Sequence, residues 1–350
     1  MTEKEIDQKF QADFKGLFPK LKDATLIPEY SMGKEKKVDL ALRLQRGRRG
    51  RERKTLLCEI VSKGFPKQIR EKGLQLLETT KQVKKAYPVI IAPYISGLGK
   101  ETCKRIGVGF LDLSGNAYLD FNSFYLEVEG KPNSFKLSDR LSGLFNPKGE
   151  RVIRFYLFQD KNESTVNYRQ IAKEISVSLG QVSKVNKKLD ELGFWEESEG
   201  VRILDKTKLL DLWRDNYRFE RNRILNFYSM KQIPQIEKQL AELCGANGIQ
   251  YALTLFSGGN RLAPFTRYNV VTSYISGDIE KIRRELELKE VPSGANLQIV
   301  IPYDEGVYYK AQEVNSTKAA NPVQIYLDLY NYKGRGREQA EFLRERVIRI

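Results

Sequence analysis

The 350-residue sequence contains no histidine. Its absence removes imidazole general bases, Ser-His and Cys-His nucleophile pairs, and His-ligated zinc. Any catalysis would have to rest on carboxylates, lysines and a hard metal ion. Three cysteines, Cys58, Cys103 and Cys244, lie far apart. No pair has the spacing of a metal knuckle or a redox motif, so reduced, mostly buried thiols are expected. No apolar run approaches the roughly 20 residues that span a bilayer, and the best, residues 88–95, has the length of a buried strand. The first ten residues are charged and lack the apolar stretch of a secretory signal, so a cytoplasmic protein without a membrane partner is expected. Negative charge is also in deficit: 60 Lys and Arg stand against 45 Asp and Glu, a net charge of +15. Such an excess favours a polyanionic partner, because each neutralised phosphate releases condensed counterions. Nucleic acid leads on this ground, and a basic protein that needs only solubility is the competing reading.

What is present is patterned. The length suits two or three domains, and the expected fold class is α/β and α+β multidomain. Residues 38–44 alternate as a half-buried strand and residues 56–61 form a more buried one. Between them, residues 45–54 (QRGRRGRERK) read as a Gly-punctuated basic loop. Pro66 opens an amphipathic helix carrying Ile69, Leu76 and Leu77. A strand at 89–92, a helix at 100–106, and strands at 109–113 and 124–128 complete a mixed-sheet domain over 1–145. Residues 130–149 are rich in turn formers, including Asn146-Pro147-Lys148-Gly149, and mark a boundary. A module at 150–205 follows. A helical stretch over 206–243 then leads into a second α/β region, giving a C-terminal domain at 206–350.

The central module has the signature of a winged helix-turn-helix. Asn167 with Gln170, and Ser178 with Gln181, are two capping patterns for helices at 168–175 and 179–192. Val182, Val185, Leu189 and Leu192 form one apolar stripe of the second helix, facing Ile171, Ala172 and Ile175. Ser183, Lys184 and Lys187 project opposite the stripe, with Gln181 and Lys188 beside it and Ser178 at the helix start. This is the polar and basic face that a recognition helix offers to base edges and phosphates of double-stranded DNA. Gly193 ends the helix. Strands at 194–196 and 201–203 form the wing, where Arg202 is a candidate phosphate contact. Winged helices also serve as protein-interaction modules, so both uses stay open. Arg46, Arg48, Arg49 and Arg51 of the basic loop are further phosphate candidates, or else belong to a loop with no fixed partner.

In the first domain, Asp39 and Glu59 sit on adjacent strands followed by a helix. The arrangement resembles the PD-(D/E)XK nuclease core, in which two carboxylates hold a divalent ion and a lysine two residues later activates water. Hard oxygen ligands suit Mg²⁺, which can generate hydroxide. Here Val61 occupies the place of that lysine, and Lys63, on the same strand face, lies one pleat repeat further on; Lys67 is another substitute. Three readings stand: structural carboxylates, a nuclease scaffold kept only for binding, or a nuclease with a migrated lysine. If it is a nuclease, Asp39, Glu59 and Lys63 form the site and Mg²⁺ is the cofactor; otherwise no cofactor is expected.

Several longer strings point the same way as the DNA reading: residues 91–96 (IAPYIS), 109–116 (GFLDLSGN), 178–185 (SLGQVSKV), 252–254 (ALT), 261–264 (RLAP), 302–307 (PYDEGV) and 322–329 (PVQIYLDL). Over about residues 88–345 the chain resembles the AbiEi-type antitoxins of type IV toxin–antitoxin (abortive infection) systems. That resemblance implies a transcription regulator that represses its own operator through the winged helix, with antidote activity in the C-terminal domain. It also implies a cognate toxin similar to a nucleotidyltransferase, opposed functionally in a way that need not involve tight binding. A homodimer is compatible with this role. The chain departs from the simplest members in placing an α/β domain before the winged helix. The C-terminal region itself shows no phosphate-binding loop, since Ser257-Gly258-Gly259-Asn260 lacks the following Lys-Ser/Thr. It also lacks a nucleotidyltransferase's paired Asp. Arg261, Arg267 and Tyr268 read either as a polar cleft or as ordinary surface.

Overall fold

In the computed structural model, the described residues are 1–31, 37–46, 52–83, 85–122, 124–135, 143–159, 167–196, 202–203 and 205–349; the side chains of 45, 46, 52, 53, 195, 196 and 202 are not described. The chain divides into two compact units, Met1–Leu141 with Asn186–Ser198, and Ser142–Val185 with Glu199–Ile350.

The first unit is built on a seven-stranded mixed sheet whose spatial order follows the sequence. After helix α1 (Glu3–Leu17) come β1 (Thr25–Ser31), β2 (Lys37–Arg46), β3 (Glu52–Ile60), α2 (Pro66–Thr80), β4 (Ala86–Ala92), α3 (Gly97–Ile106), β5 (Gly109–Asp112), β6 (Ala117–Phe121) and β7 (Phe124–Val128). The pairs β3–β4 and β4–β5, each joined through a helix, are parallel, and the others are antiparallel. The period-2 alternation of the strands sorts side chains to two cores. Leu40, Leu42, Leu56, Cys58 and Ile60 meet Ile6, Phe10 and Phe14 of α1 on one face. Ala41, Leu57 and Ile90 meet Ile69 and Leu76 of α2 and Cys103 of α3 on the other. All three cysteines are free and buried, and burial pushes the Cys103 thiol up to about 12.

The second unit begins with α4 (Pro147–Phe158), α5 (Tyr168–Glu174) and α6 (Leu179–Glu191), the last of which runs across the boundary between the units. The strands β8 (Trp195–Glu196) and β9 (Arg202–Ile203) make a two-stranded sheet. Then follow α7 (Lys206–Asn216), β10 (Arg223–Tyr228), α8 (Ile233–Ala246), β11 (Gln250–Leu253), α9 (Leu255–Leu262), β12 (Val271–Ser276), α10 (Ile279–Glu285), β13 (Lys289–Glu290), β14 (Leu297–Ile301), β15 (Gln312–Val314), β16 (Thr317–Ala319), α11 (Pro322–Tyr330) and α12 (Gly336–Leu343). Their second mixed sheet has the order β13-β10-β14-β12-β11-β16-β15. Ile236 and Leu240 of α8 and Ile282 of α10 pack on its Phe227, Leu253, Ile275 and Ile299, while α9, α11 and α12 pack on one another. Helix α4 is tied to this C-terminal layer by polar contacts that are buried or half-buried: Arg151 pairs with Asp304 at 2.7 Å, Glu150 with Arg221 at 2.8 Å, and Arg154 donates to Gln324 at 2.6 Å.

Several expectations need correction. Residues 206–243 are not one helical stretch, because Arg223–Tyr228 is a strand held between β13 and β14. Asn146-Pro147-Lys148-Gly149 starts a helix and does not belong to a loop. The Asn146 side chain accepts from the Gly149 N–H at 2.7 Å, and Pro147 sits in the first turn, where its missing N–H costs nothing. The basic segment 45–54 is strand at both ends: β2 runs to Arg46 and β3 starts at Glu52, with Gln45 opposite Arg53, while residues 47–51 lie outside the described residues. Helix α1, with its Thr2–Glu5 capping box, and the strands β1 and β6 had no counterpart in the sequence reading.

Candidate nucleic-acid interface

Helix α5 starts as its sequence dictates. Asn167 accepts from the Gln170 N–H at 2.9 Å, and the Gln170 side chain accepts from the Asn167 N–H at 3.1 Å. Residues 175–178 form the turn, with Ser176 in the left-handed region at φ 53°. Ser178 then caps α6 by accepting from the Gln181 N–H at 3.2 Å. The reciprocal half of this second box is replaced, since the Gln181 side chain reaches Asn146 at 3.5 Å instead. Three hydrogen bonds close α6 at its far end, among them Phe194 N–H to the Leu189 carbonyl at 2.9 Å, with Gly193 left-handed at φ 76°. A Cβ on Gly193 would meet the Pro66 side chain at 2.7 Å, so glycine is required by both backbone and space.

The apolar stripe is buried as expected: Val182, Val185 and Leu189 are fully covered, and Ile171, Ala172 and Ile175 of α5 are also buried. Ser178, Ser183, Lys184 and Lys187 are exposed, whereas Gln181 and Lys188 are half-buried. The structure therefore keeps four of the six candidate α6 residues on an accessible face. Among the described residues, Lys184 and Lys187 have no ion-pair partner. Two features escaped the sequence reading. Leu179, in the first turn of α6, is 45% exposed, and its one sequence signal is that it lies off the apolar stripe. Arg169 and Lys173 add exposed cations on α5. Arg202 lies in β9 and Arg46 at the end of β2, without described side chains; Arg48, Arg49 and Arg51 lie outside the described residues, as does the tip between β8 and β9.

The carboxylates of the first unit do come together. Asp39 and Glu59 extend the β2–β3 ladder beyond the Leu40–Cys58 pair, and Asp39 accepts from the Ile60 N–H at 2.8 Å. Burial and the neighbouring Asp39 charge push the Glu59 carboxyl up, and Lys72 of α2, 3.6 Å away, pulls it back. Val61 is fully buried among Ala41, Leu57 and Ile69. The strand stops at Ile60, so Lys63 lies in the connection to α2 and not on the strand face; the Gln68 side chain accepts its N–H at 2.8 Å. Both substitute lysines are engaged by the last turn of α6: Lys63 with Glu191 at 2.9 Å and Lys67 with Asp190 at 2.6 Å. Lys72, which nothing in the sequence singled out, is the cation that pairs with Glu59 among the described residues. Among the described residues no three His, Cys, Asp or Glu side chains converge as metal ligands.

In the C-terminal region, Arg261 and Tyr268 both bind the buried carboxylate of Glu237, with the Tyr268 hydroxyl donating at 2.8 Å. They do structural work there, and Arg267 is exposed. The Ser257–Asn260 string lies within α9; a Cβ on Gly258 would meet the Leu253 carbonyl at 2.5 Å, so this glycine serves close packing. Asp328, in the 322–329 string, is the centre of a buried network. It accepts from Tyr217 at 2.6 Å, from Tyr274 at 2.8 Å, from Gln324 at 2.8 Å and from Thr254.

No helix among the described residues is long and apolar enough to cross a membrane. No curated protein and no solved structure matches the chain. One family model does, over residues 202–349, described as a transcriptional regulator, the AbiEi antitoxin of a type IV toxin–antitoxin system. The matched stretch takes in the strings at 252–254, 261–264, 302–307 and 322–329; those before residue 202 lie outside it. From β9 through α12 this chain is thus similar to the AbiEi antitoxins of that family.

Proposed function

We propose that the chain is a DNA-binding transcription regulator that represses its own operator and acts as the antitoxin of a type IV toxin–antitoxin pair. In this reading α4 to α6 with β8 and β9 are a winged helix-turn-helix, and α6 is the recognition helix. The observation that carries it is the accessible face of α6, where Ser183, Lys184 and Lys187 stand opposite a fully buried stripe and close to a Ser178-capped N-terminus. Short polar and cationic side chains at that end suit the major groove, where base edges and flanking phosphates are within reach. Leu179 adds an apolar group suited to a thymine methyl. The family match over residues 202–349 supports the antitoxin part of the reading. A nucleotidyltransferase-like toxin is the functional partner this implies, and a homodimer on a two-half-site operator would show as a doubled mass in solution.

The test is a gel shift with the DNA upstream of the coding sequence, run with and without Mg²⁺. A specific shift over intact DNA in both lanes is expected, and no shift at any salt would sink the proposal. A second reading, a Mg²⁺-dependent endonuclease, draws support from the Asp39–Glu59 pairing with Lys72 beside it. It requires cleavage only with Mg²⁺, abolished by Asp39→Ala. The engagement of Lys63 and Lys67 by Glu191 and Asp190 makes repression the reading we favour.

A further inference from the structure

Where the end of α7 meets the end of α11 there is a cleft of about 280 Å³, near the lower end of the size range of small-ligand sites. Its lining comes from two short segments: Tyr217, Arg218, Phe219 and Glu220 directly after α7, and Asn331 and Tyr332 directly after α11. Asp328 also borders it, but each of its oxygens is already taken by the tyrosine, threonine and glutamine donors around it. Its role is to hold the wall. The groups left for a ligand are different. The Tyr332 ring stands edge-on to Phe219 at 5.9 Å and to Phe256 at 6.0 Å. Arg218, Glu220 and Asn331 are exposed, and Arg218 Nη1 donates to the Tyr217 and Asp215 carbonyls, so its other guanidinium nitrogens are the ones that face a ligand.

Helices α7, α11 and α12, with Arg344 directly after α12, also hold a set of guanidiniums on tyrosine rings. Arg214 of α7 donates to the Tyr326 hydroxyl of α11 at 3.4 Å. Arg214 and Arg337 lie over the Tyr330 ring at 4.6 and 5.0 Å, and Arg344 lies over Tyr326 at 5.5 Å. Arg214 and Arg344 share Asp211, whereas Arg337 is exposed and has no carboxylate partner among the described residues. A guanidinium held flat on a ring is pre-organised, and its N–H fork suits phosphate oxygens. Aromatic walls, a carboxylate and an amide suited to sugar hydroxyls, and the guanidinium of Arg218 in the lining match three parts of one ligand class.

We propose that this cleft is a nucleotide site that takes a nucleoside phosphate, with the base against Tyr332, the ribose at Glu220 and Asn331, and the phosphates on Arg218 and Arg337. The site is separate from the α6 face and does not depend on its reading. The ligand is either a free nucleotide or the terminal nucleotide of an RNA strand. The test is calorimetric titration of the full chain with each of the four common ribonucleoside triphosphates, with inorganic triphosphate, and with a short 5′-phosphorylated single-stranded RNA. At least one nucleotide or the strand is expected to bind, and whichever is tighter assigns the source. Arg337→Ala and the cleft-filling Asn331→Trp should each weaken it by about tenfold or more, a loss of about 1.4 kcal/mol. Both replace exposed residues, and operator binding should not change. Arg218→Ala gives the same test should Asn331→Trp fold poorly. Absence of binding at millimolar concentrations, equal binding of inorganic triphosphate, or unchanged affinity in these variants would overturn the proposal. None of these outcomes bears on DNA binding through α6.

Discussion

Single residues carry two sharp expectations. Lys184 and Lys187 are exposed, and among the described residues they lack ion-pair partners. The double substitution Lys184→Ala, Lys187→Ala should therefore leave the fold intact. It should weaken DNA binding uniformly across sequences and lower the slope of log K against log salt by about 1 per lost phosphate contact. An unchanged slope, read by fluorescence anisotropy over a salt series, would move the contact elsewhere. Asp328 titrates in a different sense. Burial pushes its carboxyl from the ordinary 3.8 up to about 6, against the four donors that pull it down. The folded chain therefore holds this proton over a range in which the unfolded chain has lost it. The stability it contributes is full below about pH 4 and is lost as pH rises through 6, with a slope of at most ~1.4 kcal/mol per pH unit. Asp328→Asn should flatten the urea midpoint between pH 4 and 6; an equally steep profile in the variant would show that another group is responsible. The caps at Asn167 and Ser178 were legible because a cap is a local bargain between a side chain and the next turn. The partners of Lys63 and Lys67 were not, because Glu191 and Asp190 lie more than a hundred positions away.

At the scale of elements, α6 owes its seat to its stripe. Leu189 is fully buried, and Leu189→Ala should cost about 2–5 kcal/mol through lost burial and the cavity left behind. DNA binding should fall with it, although Leu189 touches no DNA in the proposed complex. A thermal unfolding curve indistinguishable from the parent chain would contradict this. The turn before α6 is also constrained. Ser176 adopts φ 53°, where a β-branched side chain crowds the backbone. Ser176→Val should cost about 1–3 kcal/mol, while Ser176→Gly should be neutral or stabilising, as paired denaturant curves would read directly. Elements with strong periodicity, such as α6 and β2, were visible in the sequence. Strand β10 was hidden because it carries an apolar pattern that a helix could also use, and only its place between β13 and β14 settles the matter.

For the whole molecule, the first unit is discontinuous: Met1–Leu141 is completed by Asn186–Ser198. A fragment ending at residue 141 would lack the Lys63–Glu191 and Lys67–Asp190 pairs and the close approach of Gly193 to Pro66. The two half-exposed pairs contribute little each. The lost segment, however, also carries the buried Leu189, Leu192 and Phe194. Such a fragment should therefore unfold at a lower denaturant midpoint than the same unit inside the intact chain, and an equal midpoint would show that the segment contributes nothing. The charge excess acts at this scale too, since a net charge of +15 attracts a polyanion over distances that added salt shortens.

The sequence by itself determined the absence of imidazole chemistry, the net positive charge, the two caps, the buried stripe and the polar face of α6, and the AbiEi likeness of the C-terminal strings. These rest on composition or on patterns shorter than one helix, where each side chain's neighbours are set by the repeat of the backbone. Tertiary structure decided the rest. It placed Asp39 beside Glu59 but gave Lys63 and Lys67 to the last turn of α6, spent Arg261 and Tyr268 on Glu237, and gathered Tyr217, Tyr274, Thr254 and Gln324 around Asp328. The physical reason is common to all of these: the partner of a buried or half-buried charge is chosen by which elements the sheet order brings together, and no local repeat encodes that choice.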